Sequence, residues 1–494
     1  MDFSQLPDIS EFLVTPDNPP RDDLEGIDYV RCAALHNYLI HYTWLAEGRT
    51  LQTLKDQSSN FFTSSGAEAQ AEALRPRLHS SVVSFLDNAL VLPYEKMEDY
   101  LPLSVFAWAI ESPTRLIEEF QGDLHDQPVN SLVRLYNADT PISTLGDDGA
   151  VIYHQHFNRV ALFMSADDFD LAFPVQEHPE IWTSLETMLS HWIDLIRLGK
   201  VVASPNKEPA LFEIEKVGPW EWRPYSEAQV TSCVAEWDRL CQAIEARITQ
   251  VLNAPSLIDE TCATGPETLA TSIVLDAALL PNPSFARSFL TRARRPWFKS
   301  IAPGLLLPPV DPSAFVATQP FAVLPRSEYT VPPVCLFPAD TRDQRPVHLK
   351  RITSPWLLEP FYSSSTQTCN PSHVSAGLYS EGVERNYYDM AEEGFRLLLP
   401  FTFNDGFTRS AYARQSDMRA VDRNGAGELF QHGFKPFGGA YGRPQRLERL
   451  LDRWRKLVED GVWSVGPEGV KGTIDTFKDA ETDQWKDCFI PPTW

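Results

Sequence analysis

The chain lacks long hydrophobic runs and the cysteine patterns of metal or disulfide scaffolds. No window approaches about 18 consecutive apolar residues, so no membrane span is expected. The seven cysteines are scattered and form no Cys-x-x-Cys pair, which argues against a zinc module or a disulfide framework. The first residues contain neither a basic region nor a long apolar stretch, so no signal peptide is expected. These absences predict a reduced cytoplasmic protein without a membrane partner.

The common catalytic motifs are also missing. The sequence contains no Gly-x-Ser-x-Gly, no His-Glu-x-x-His, no Walker loop and no Gly-x-Gly-x-x-Gly after a strand. Hydrolase, zincin and nucleotide-binding interpretations therefore lack support, and no cofactor is predicted. Positive charge is scarce as well, because 43 Lys and Arg face 67 Asp and Glu and the net charge is −24. Such an acidic chain repels polyanions at long range, which argues against broad nucleic-acid binding and against DNA as a partner.

What is present indicates an α+β fold with a substantial core. The 494 residues are 43% hydrophobic and can build one large or two ordinary domains. Apolar residues at helical spacing over 28–54 and 67–92 predict a helical N-terminal third. The runs 129–138 and 150–166 alternate with period two, and GDDG between them predicts the turn of a hairpin. A mixed sheet with flanking helices and Pro-rich connectors is expected to follow.

Further elements are predicted from periodicity and capping signals. Ser226 and Gln229 have the spacing of a capping box at the start of a helix that reaches Leu252. Other helices are predicted over 97–109, 112–120, 179–198, 266–279 and 444–458, and a strand over 210–217. Short extended runs dominate after Phe315. We predict a flexible stretch over 1–25, a helical and mixed region over 26–305 and a strand-rich region over 306–494. The boundary near 305 is soft, and the whole could be one domain.

A basic segment, Ala277–Val310, contains five cations and no acid: Arg287, Arg292, Arg294, Arg295 and Lys299. A second basic stripe runs along the predicted last helix through Arg446, Arg449 and Arg453. The two could flank a groove for a phosphate backbone, with Trp297 or Phe298 available to stack a base. The alternative is that each set pairs with the protein's own carboxylates or forms a solvated helix face.

Polar residues follow two extended runs in the last third. Ser380 and Glu381 come directly after the run that ends at Tyr379, and a second polar set follows FRLLLPFTF. That second set comprises Asn404, Asp405, Arg409, Ser410, Arg414 and Asp417. Polar groups just beyond strand ends are common at active sites and are equally common in surface turns.

A metal centre is the competing interpretation. His154 and His156 in YHQHF would share one face of a strand, which suits two imidazoles on one metal. The nearest acids for a third ligand are Asp167, Asp168 and Asp170. Two histidines on one strand face are more often packed or hydrogen-bonded. His36 and His41, five residues apart, are expected to be structural.

Several phrases together resemble a known family. They are LSHWIDLIRLGKV, GPWEWRPYS, FARSFLTRARRPWFKSIAPG, AGLYSEG and the terminal IPPTW, spread from about residue 185 onward. The set is similar to the arginine-containing cyclodipeptide synthases of filamentous fungi, which are tied to secondary metabolism. The resemblance implies a transferase that joins arginyl-tRNA and a second aminoacyl-tRNA into a cyclo-(Arg-Xaa) diketopiperazine. It carries no motif that assigns catalytic residues.

Site residues are therefore predicted from what such chemistry requires. Ser380, Glu381 and Tyr379 are the catalytic candidates, with Ser380 able to carry an acyl group if the route is covalent. A guanidinium needs a carboxylate partner, for which the candidates are Glu381, Glu384, Asp389, Glu392, Glu393 and Asp417. The tRNA would contact the two basic sets. The alternatives are a metal-dependent oxygenase or lyase using His154 and His156, and a non-catalytic scaffold. The sequence leaves open the second amino acid, the catalytic residue and the oligomeric state.

Overall fold

The structure is a computed structural model, and its described residues form two compact units. The described residues are 3–64, 66–92, 103, 107–117, 130–138, 149–163, 174–204, 219–252, 267–322, 329–340, 345–348, 373–385, 391–403, 413–421, 427–433 and 444–492. Most of the first unit is Met1–Arg223, and the second unit comprises Pro224–Gly433 and Tyr441–Pro492. The boundary that the sequence suggested near residue 305 lies inside the second unit. Helices and small sheets in both units confirm the predicted α+β fold.

The first unit begins with four helices. They are α1 (Tyr29–Ala46), α2 (Leu51–Gln57), α3 (Glu68–Leu74) and α4 (Ser80–Asn88). Helix α1 starts where the Asp28 carboxylate accepts the backbone N–H of Arg31 at 3.2 Å. Leu35 and Leu39, one turn apart, are fully buried on α1, which packs against α4. The predicted helical start of the chain is therefore present as several short helices.

The residues before α1 are held by one arginine. The Arg31 guanidinium donates hydrogen bonds to the backbone carbonyls of Phe12, Leu13, Asn18 and Pro19, at 2.6–2.9 Å. Ile9 and Leu13 are buried beside it. The sequence predicted a flexible stretch over 1–25 and did not anticipate these hydrogen bonds, because Arg31 lies on α1, outside that stretch.

A four-stranded antiparallel sheet follows in the first unit. Its strands, in spatial order, are β1 (Ala109–Ile110), β2 (Leu132–Asn137), β3 (Ala150–His154) and β4 (Arg159–Phe163). The predicted pairing of 129–138 with 150–166 is present as β2 and β3. The second run contains two strands, because a turn over 155–158 interrupts it and places Asn158 at φ 51°.

Helix α5 (Leu185–Arg197) and a pair of strands follow in the first unit. The Ser184 hydroxyl caps α5 by accepting the Thr187 N–H at 3.2 Å, so the helix begins later than predicted. Gly199, at φ 65°, follows its last turn as the sequence indicated. Strands β5 (Val201–Ala203) and β6 (Trp220–Trp222) then pair antiparallel.

The second unit is organised around two packed helices, α6 (Glu227–Leu252) and α10 (Leu447–Glu459). The predicted capping box is present: the Ser226 N–H donates to Gln229 Oε1 at 3.0 Å, and the Gln229 N–H donates to Ser226 Oγ at 3.1 Å. Shorter helices lie between them in the chain: α7 (Ser272–Ala277), α8 (Phe285–Arg292) and α9 (Pro312–Ala317).

Small sheets complete the second unit. A three-stranded antiparallel sheet has the order β10 (Cys335–Pro338), β13 (Gly377–Ser380) and β15 (Phe395–Leu398). A four-stranded sheet has the order β16 (Val465–Gly466), β17 (Gly469–Val470), β7 (Ser300–Ala302) and β8 (Leu305–Leu306). Two strand pairs remain: β11 (Pro346–His348) with β12 (His373–Ser375), and β9 (Thr330–Val331) with β14 (Val383–Glu384).

Several predicted elements differ from the structure or cannot be compared with it. The helix predicted over 97–109 and the strand predicted over 210–217 fall mostly or wholly outside the described residues. Residues 113–117 form turns where a helix was predicted over 112–120. In the described part of the chain, no helix has the length and apolar character needed to cross a membrane.

Candidate functional site

The second unit buries many polar side chains between Ser380 and Arg446, and we call them the buried polar cluster. Its members are Ser380, Glu381, Glu392, Glu393, Arg396, Gln415, Ser416, Asp417, Glu428, Gln431, His432, Gln445 and Arg446. Buried polar and charged groups are costly unless each is paired. The partners of each group therefore show whether it holds the fold together or is available for chemistry.

Two deeply buried charges of the cluster, Glu381 and Arg396, form an ion pair. Glu381 Oε2 lies 2.6 Å from Arg396 Nε, and neither side chain exposes more than 5% of its surface. The second carboxylate oxygen of Glu381 accepts the Gly382 N–H at 3.3 Å. Burial raises the pKa of Glu381, and the adjacent guanidinium opposes that rise. Glu381 is thus engaged by Arg396, which lies on the neighbouring strand β15.

Ser380 and Tyr379 are held inside the three-stranded sheet. Ser380 Oγ accepts the Val334 N–H at 3.0 Å, and this is its only hydrogen bond to the described residues. The Tyr379 hydroxyl donates to the carbonyl of Ser375 at 2.9 Å, and burial raises the tyrosine pKa. A serine nucleophile needs an adjacent base, and none of the described side chains is hydrogen-bonded to Ser380. The geometry favours a structural role for Ser380.

The carboxylates named for a guanidinium pocket already have partners in this chain. Glu392 accepts the Phe285 N–H at 3.0 Å and Arg385 Nε at 2.6 Å. Glu393 accepts an N–H of the Gln229 amide at 2.8 Å. Glu392 therefore stabilises the start of α8, and Glu393 the start of α6.

The remaining acidic candidates have separate surroundings. Glu384 accepts the Thr330 hydroxyl on the neighbouring strand β9. Asp417 accepts the Arg419 N–H at 3.0 Å, and its carboxylate lies so close to Gly433 that a Cβ there would be 2.4 Å away. Gly433 also has φ +64°, so both space and backbone conformation require glycine. Asp389 and the candidates Asn404, Asp405, Arg409 and Ser410 lie outside the described residues.

Four of the five cations of the basic segment are paired with carboxylates. The pairs and their N···O distances are Arg287–Asp276 at 2.6 Å, Arg292–Glu227 at 2.8 Å, Arg294–Glu245 at 3.0 Å and Lys299–Glu468 at 2.8 Å. Arg287 is also 8% exposed, which removes it from any surface contact. For these four residues the geometry favours the alternative in which the segment pairs with the protein's own acids.

Arg295 differs from the other four cations. Its guanidinium donates to the carbonyls of Leu269 at 3.1 Å and Pro308 at 2.9 Å, and no described carboxylate pairs with it. Burial without a counter-ion lowers the pKa of Arg295. Nearby, Trp297 is 51% exposed, whereas Phe298 is 1% exposed. Of the two aromatic residues proposed to stack a base, only Trp297 has an accessible ring.

The basic stripe of α10 is largely engaged within the second unit. Arg446 is buried, Arg449 is half-buried, and Arg453 donates to the carbonyls of Lys486 at 2.7 Å and Asp487 at 3.0 Å. Lys456 pairs with Asp452 at 2.8 Å. These contacts join α10 to the segment that follows it and leave little of the stripe for a polyanion.

A cavity of about 480 Å³ lies beside the three-stranded sheet, and the sequence did not reveal it. Its lining includes Leu306, Cys335, Asp340, Arg345 and Ser375, whose carbonyl accepts the Tyr379 hydroxyl. Asp340 follows β10, and its N–H donates to the carbonyl of Gly304 at 2.9 Å. The rule that drew attention to Ser380, polar residues just past a strand end, also applies to Asp340.

The paired-histidine hypothesis is wrong in its geometry. His154 ends β3, and His156 lies in the following turn, so the two do not share a strand face. The described residues contain no group of three side chains that could hold a metal ion. Asp167, Asp168 and Asp170 lie outside the described residues. His36, buried between Tyr136 and Leu90, has hydrogen-bonding contacts suited to a structural role.

No protein-family model, curated protein or solved structure matches this chain. The function of the chain is therefore inferred from the sequence resemblance and from the geometry of the described cavities and charged residues.

Proposed function

We propose that the chain is an aminoacyl-tRNA-dependent transferase that condenses arginyl-tRNA with a second aminoacyl-tRNA into a cyclo-(Arg-Xaa) diketopiperazine. We place it, with the family it resembles, in fungal secondary metabolism and in the cytoplasm. The observation that supports the proposal most is the cavity of about 480 Å³ lined by Asp340. Its volume falls within the range of roughly 300–1,000 Å³ typical of small-molecule sites.

The cavity has the chemistry that an arginyl group requires. A guanidinium is best recognised by a carboxylate, which can accept two parallel N–H bonds, and Asp340 provides one. Leu306 and Leu307 supply apolar surface for the methylene chain. The main chain around Asp340 is ordered by an antiparallel bridge between Ala339 and Leu305. In this proposal, Asp340 is the guanidinium partner in place of Glu381 and Glu392, because it lines the cavity and those two do not.

The reaction needs positioning more than activation. In the first step, the α-amine of one aminoacyl group attacks the ester carbonyl of the other, forming an amide and releasing the ribose hydroxyl of one tRNA. In the second step, the remaining amine attacks the remaining ester and closes the ring. Each step breaks one ester and forms one amide, and the amine proton passes to the departing ribose oxygen. Holding amine and ester in contact supplies most of the acceleration.

Direct transfer is favoured over an acyl-serine route. Ser380 is buried, and its oxygen already accepts the Val334 N–H. Tyr379 lies in the three-stranded sheet beside the cavity, and its hydroxyl donates a hydrogen bond to the carbonyl of Ser375, which lines the cavity. Tyr379 is therefore a positioning residue in this proposal. For tRNA contact we retain Arg295 and the exposed Trp297, since base stacking and phosphate contacts suit a short single-stranded end.

The test is a reconstituted reaction with total tRNA, synthetases, ATP and amino acids, followed by mass detection of diketopiperazines. A cyclo-(Arg-Xaa) product is expected. Asp340→Asn should raise the KM for arginyl-tRNA at least about tenfold, as expected when one charged hydrogen-bonding partner is lost. Asp460→Asn, which removes an exposed acid in the same unit, should leave KM unchanged. Absence of any arginine-containing product in every pairing would refute the proposal.

A further inference from the structure

A second cavity, of about 670 Å³, lies in the first unit. Its lining includes Arg77, His79, Ser131, His154, Gln155 and Phe157. We propose that this cavity binds a small aromatic carboxylate, with the Arg77 guanidinium holding the carboxylate and Phe157 contacting the ring. The inference concerns the first unit alone and is independent of the proposed transferase activity.

The charge of the cavity wall favours an anion. None of the described residues that line the cavity is acidic, although the chain carries a net charge of −24. Arg77 is exposed and has no described carboxylate partner. Its Nε donates to Asn130 Oδ1 at 2.8 Å, which orients the guanidinium without neutralising it. An oriented guanidinium is suited to bidentate binding of a carboxylate.

An unsatisfied buried hydroxyl points to the same conclusion. Ser131 is 7% exposed and lines the cavity, and its Oγ has no hydrogen-bond partner among the described residues. Buried polar atoms are nearly always hydrogen-bonded, so an exception on a cavity wall indicates a group that a ligand can engage. Ser131 follows Asn130 in the chain, so the residue with the unsatisfied hydroxyl is adjacent to the residue that orients the Arg77 guanidinium.

The Gln155 side-chain amide connects three segments of the cavity wall through hydrogen bonds. The Gln155 side chain accepts the His79 N–H at 2.6 Å and donates to the carbonyl of Arg77 at 3.1 Å and also to the carbonyl of Asn130. It thereby joins the turn after β3 to the segment before α4 and to the start of β2. Asn130 adopts φ 62°, a conformation that asparagine tolerates better than most residues. A wall fixed in this way needs little reorganisation when a ligand binds.

The remaining lining suits an aromatic body. The Phe157 ring lies 4.6 Å from the His154 ring and 4.9 Å from the His156 ring, measured between centroids. Leu78, Pro174 and Val175 add apolar surface. Burial lowers the pKa of His154 to about 4, so this imidazole is neutral near pH 7 and does not add to the charge of the wall. Arg77 is the one arginine or lysine among the described residues that line the wall.

The inference is tested by fluorine NMR titration of the full chain with 4-fluorophenylacetate. The matched neutral probe is 4-fluorophenylacetamide. The variants are Arg77→Gln, Arg197→Gln and Ser131→Ala, and Ser131→Ala should weaken carboxylate binding by less than Arg77→Gln does, because it removes an uncharged hydrogen-bonding group. Arg197 is an exposed arginine of α5 outside the cavity, so its loss controls for net charge. Arg77→Gln should raise the Kd of the carboxylate at least about tenfold. The amide should bind to the native chain about as weakly as the carboxylate binds to Arg77→Gln. Arg197→Gln should leave the Kd unchanged.

Three results would overturn the inference. They are equal Kd values for the carboxylate and the amide, equal effects of Arg77→Gln and Arg197→Gln, and no saturable binding of the carboxylate to the native chain. Arg77→Lys serves as the second variant. It retains the charge without the planar fork and should bind with an affinity between those of the native chain and Arg77→Gln. Circular dichroism spectra identical to that of the native chain should confirm that each variant is folded.

Discussion

Glu381, directly after strand β13, forms an ion pair with Arg396 on the adjacent strand β15, with a 2.6 Å N···O distance inside the second unit. The pair occupies the position where the sequence suggested a catalytic acid or a pocket for a substrate guanidinium. The guanidinium there belongs to the protein itself. Because both side chains are almost fully buried, removal of Arg396 leaves the Glu381 carboxylate in the core without its guanidinium partner.

The first prediction concerns this pair. Arg396→Met should lower the free energy of unfolding by about 3–5 kcal/mol at pH 7, as expected for breaking a buried ion pair. The double variant Glu381→Gln/Arg396→Met should recover a large part of that loss, since it buries no net charge. Urea denaturation of the native chain, both single variants and the double variant gives the coupling energy. A double variant no more stable than Arg396→Met would contradict the buried-pair interpretation.

The pH dependence of the same variant supplies a control. Burial raises the pKa of Glu381, and removal of Arg396 should raise that pKa further. The Glu381 carboxyl of this variant then binds a proton more tightly in the folded state than in the unfolded state. The free energy of unfolding of Arg396→Met should therefore increase as pH falls toward the pKa that Glu381 has in the unfolded chain. An Arg396→Met defect that stays constant over this range would indicate lost packing as its cause.

The second prediction concerns His36 in the first unit. Burial lowers the pKa of His36 to about 4, and its ring contacts the Leu90 carbonyl and the Tyr136 hydroxyl at 2.9 and 3.2 Å. Because the folded-state pKa lies below the unfolded value, the stabilisation is complete above pH 6.5 and is lost as pH falls toward 4. The loss should amount to about 3 kcal/mol.

His36→Gln should remove the part of the pH dependence that His36 causes, although it lowers stability at pH 7, and the part caused by the buried His154 should remain. The matched control is His178→Gln, which changes a half-buried histidine in the same unit. Urea midpoints measured from pH 7.5 to pH 4 compare the three proteins. A midpoint that falls equally steeply in the His36 variant and in the native chain would rule out His36 as the source.

The third prediction concerns the start of α6. Ser226→Ala removes the hydroxyl that accepts the Gln229 N–H and should cost about 1 kcal/mol of unfolding free energy. Thr249→Ala, near the other end of α6, removes a hydroxyl bonded to a carbonyl within the helix and should cost less. Chemical denaturation checks both variants, and equal losses would show that the capping box has no special contribution.

The fourth prediction separates the cations of the basic segment. Arg295→Gln should weaken tRNA binding and reduce the slope of log affinity against log salt by about 1, because a phosphate contact is lost. Arg287→Gln should leave that slope unchanged, since Arg287 is buried against Asp276, but should lower the melting temperature. Fluorescence anisotropy with labelled tRNA at several salt concentrations measures the slope. A slope altered by Arg287→Gln and unaffected by Arg295→Gln would reverse the assignment.

Local signals in the sequence predicted local structure well. The capping box of Ser226 and Gln229, the glycine after α5 and the alternating strands around GDDG all depend on neighbours within a few residues. The turn over 155–158 was missed because YHQHF continues the period-two pattern across it. The sequence pattern therefore predicted a strand at His156, whereas in the structure His156 lies in a turn.

Long-range partners were not predictable in the same way. Arg294 pairs with Glu245, and Lys299 pairs with Glu468, 169 residues away in the chain, so composition within the basic segment could not reveal its neutralisation. Trp297 and Phe298 are adjacent and similar in type, yet only the fold determines that one is exposed and the other buried. Asp340 obeys the strand-end rule, but the cavity that it lines is a property of the folded unit.

The central claim is that the chain consumes arginyl-tRNA to make a diketopiperazine. The most direct measurement uses preformed arginyl-tRNA carrying carbon-13 arginine, a second preformed aminoacyl-tRNA, and the purified chain without ATP or synthetases. We predict that the label appears by mass spectrometry in a cyclo-(Arg-Xaa) product and that ribonuclease treatment of the tRNA beforehand abolishes it. Label found only in free arginine, for every second aminoacyl-tRNA supplied, would contradict the account.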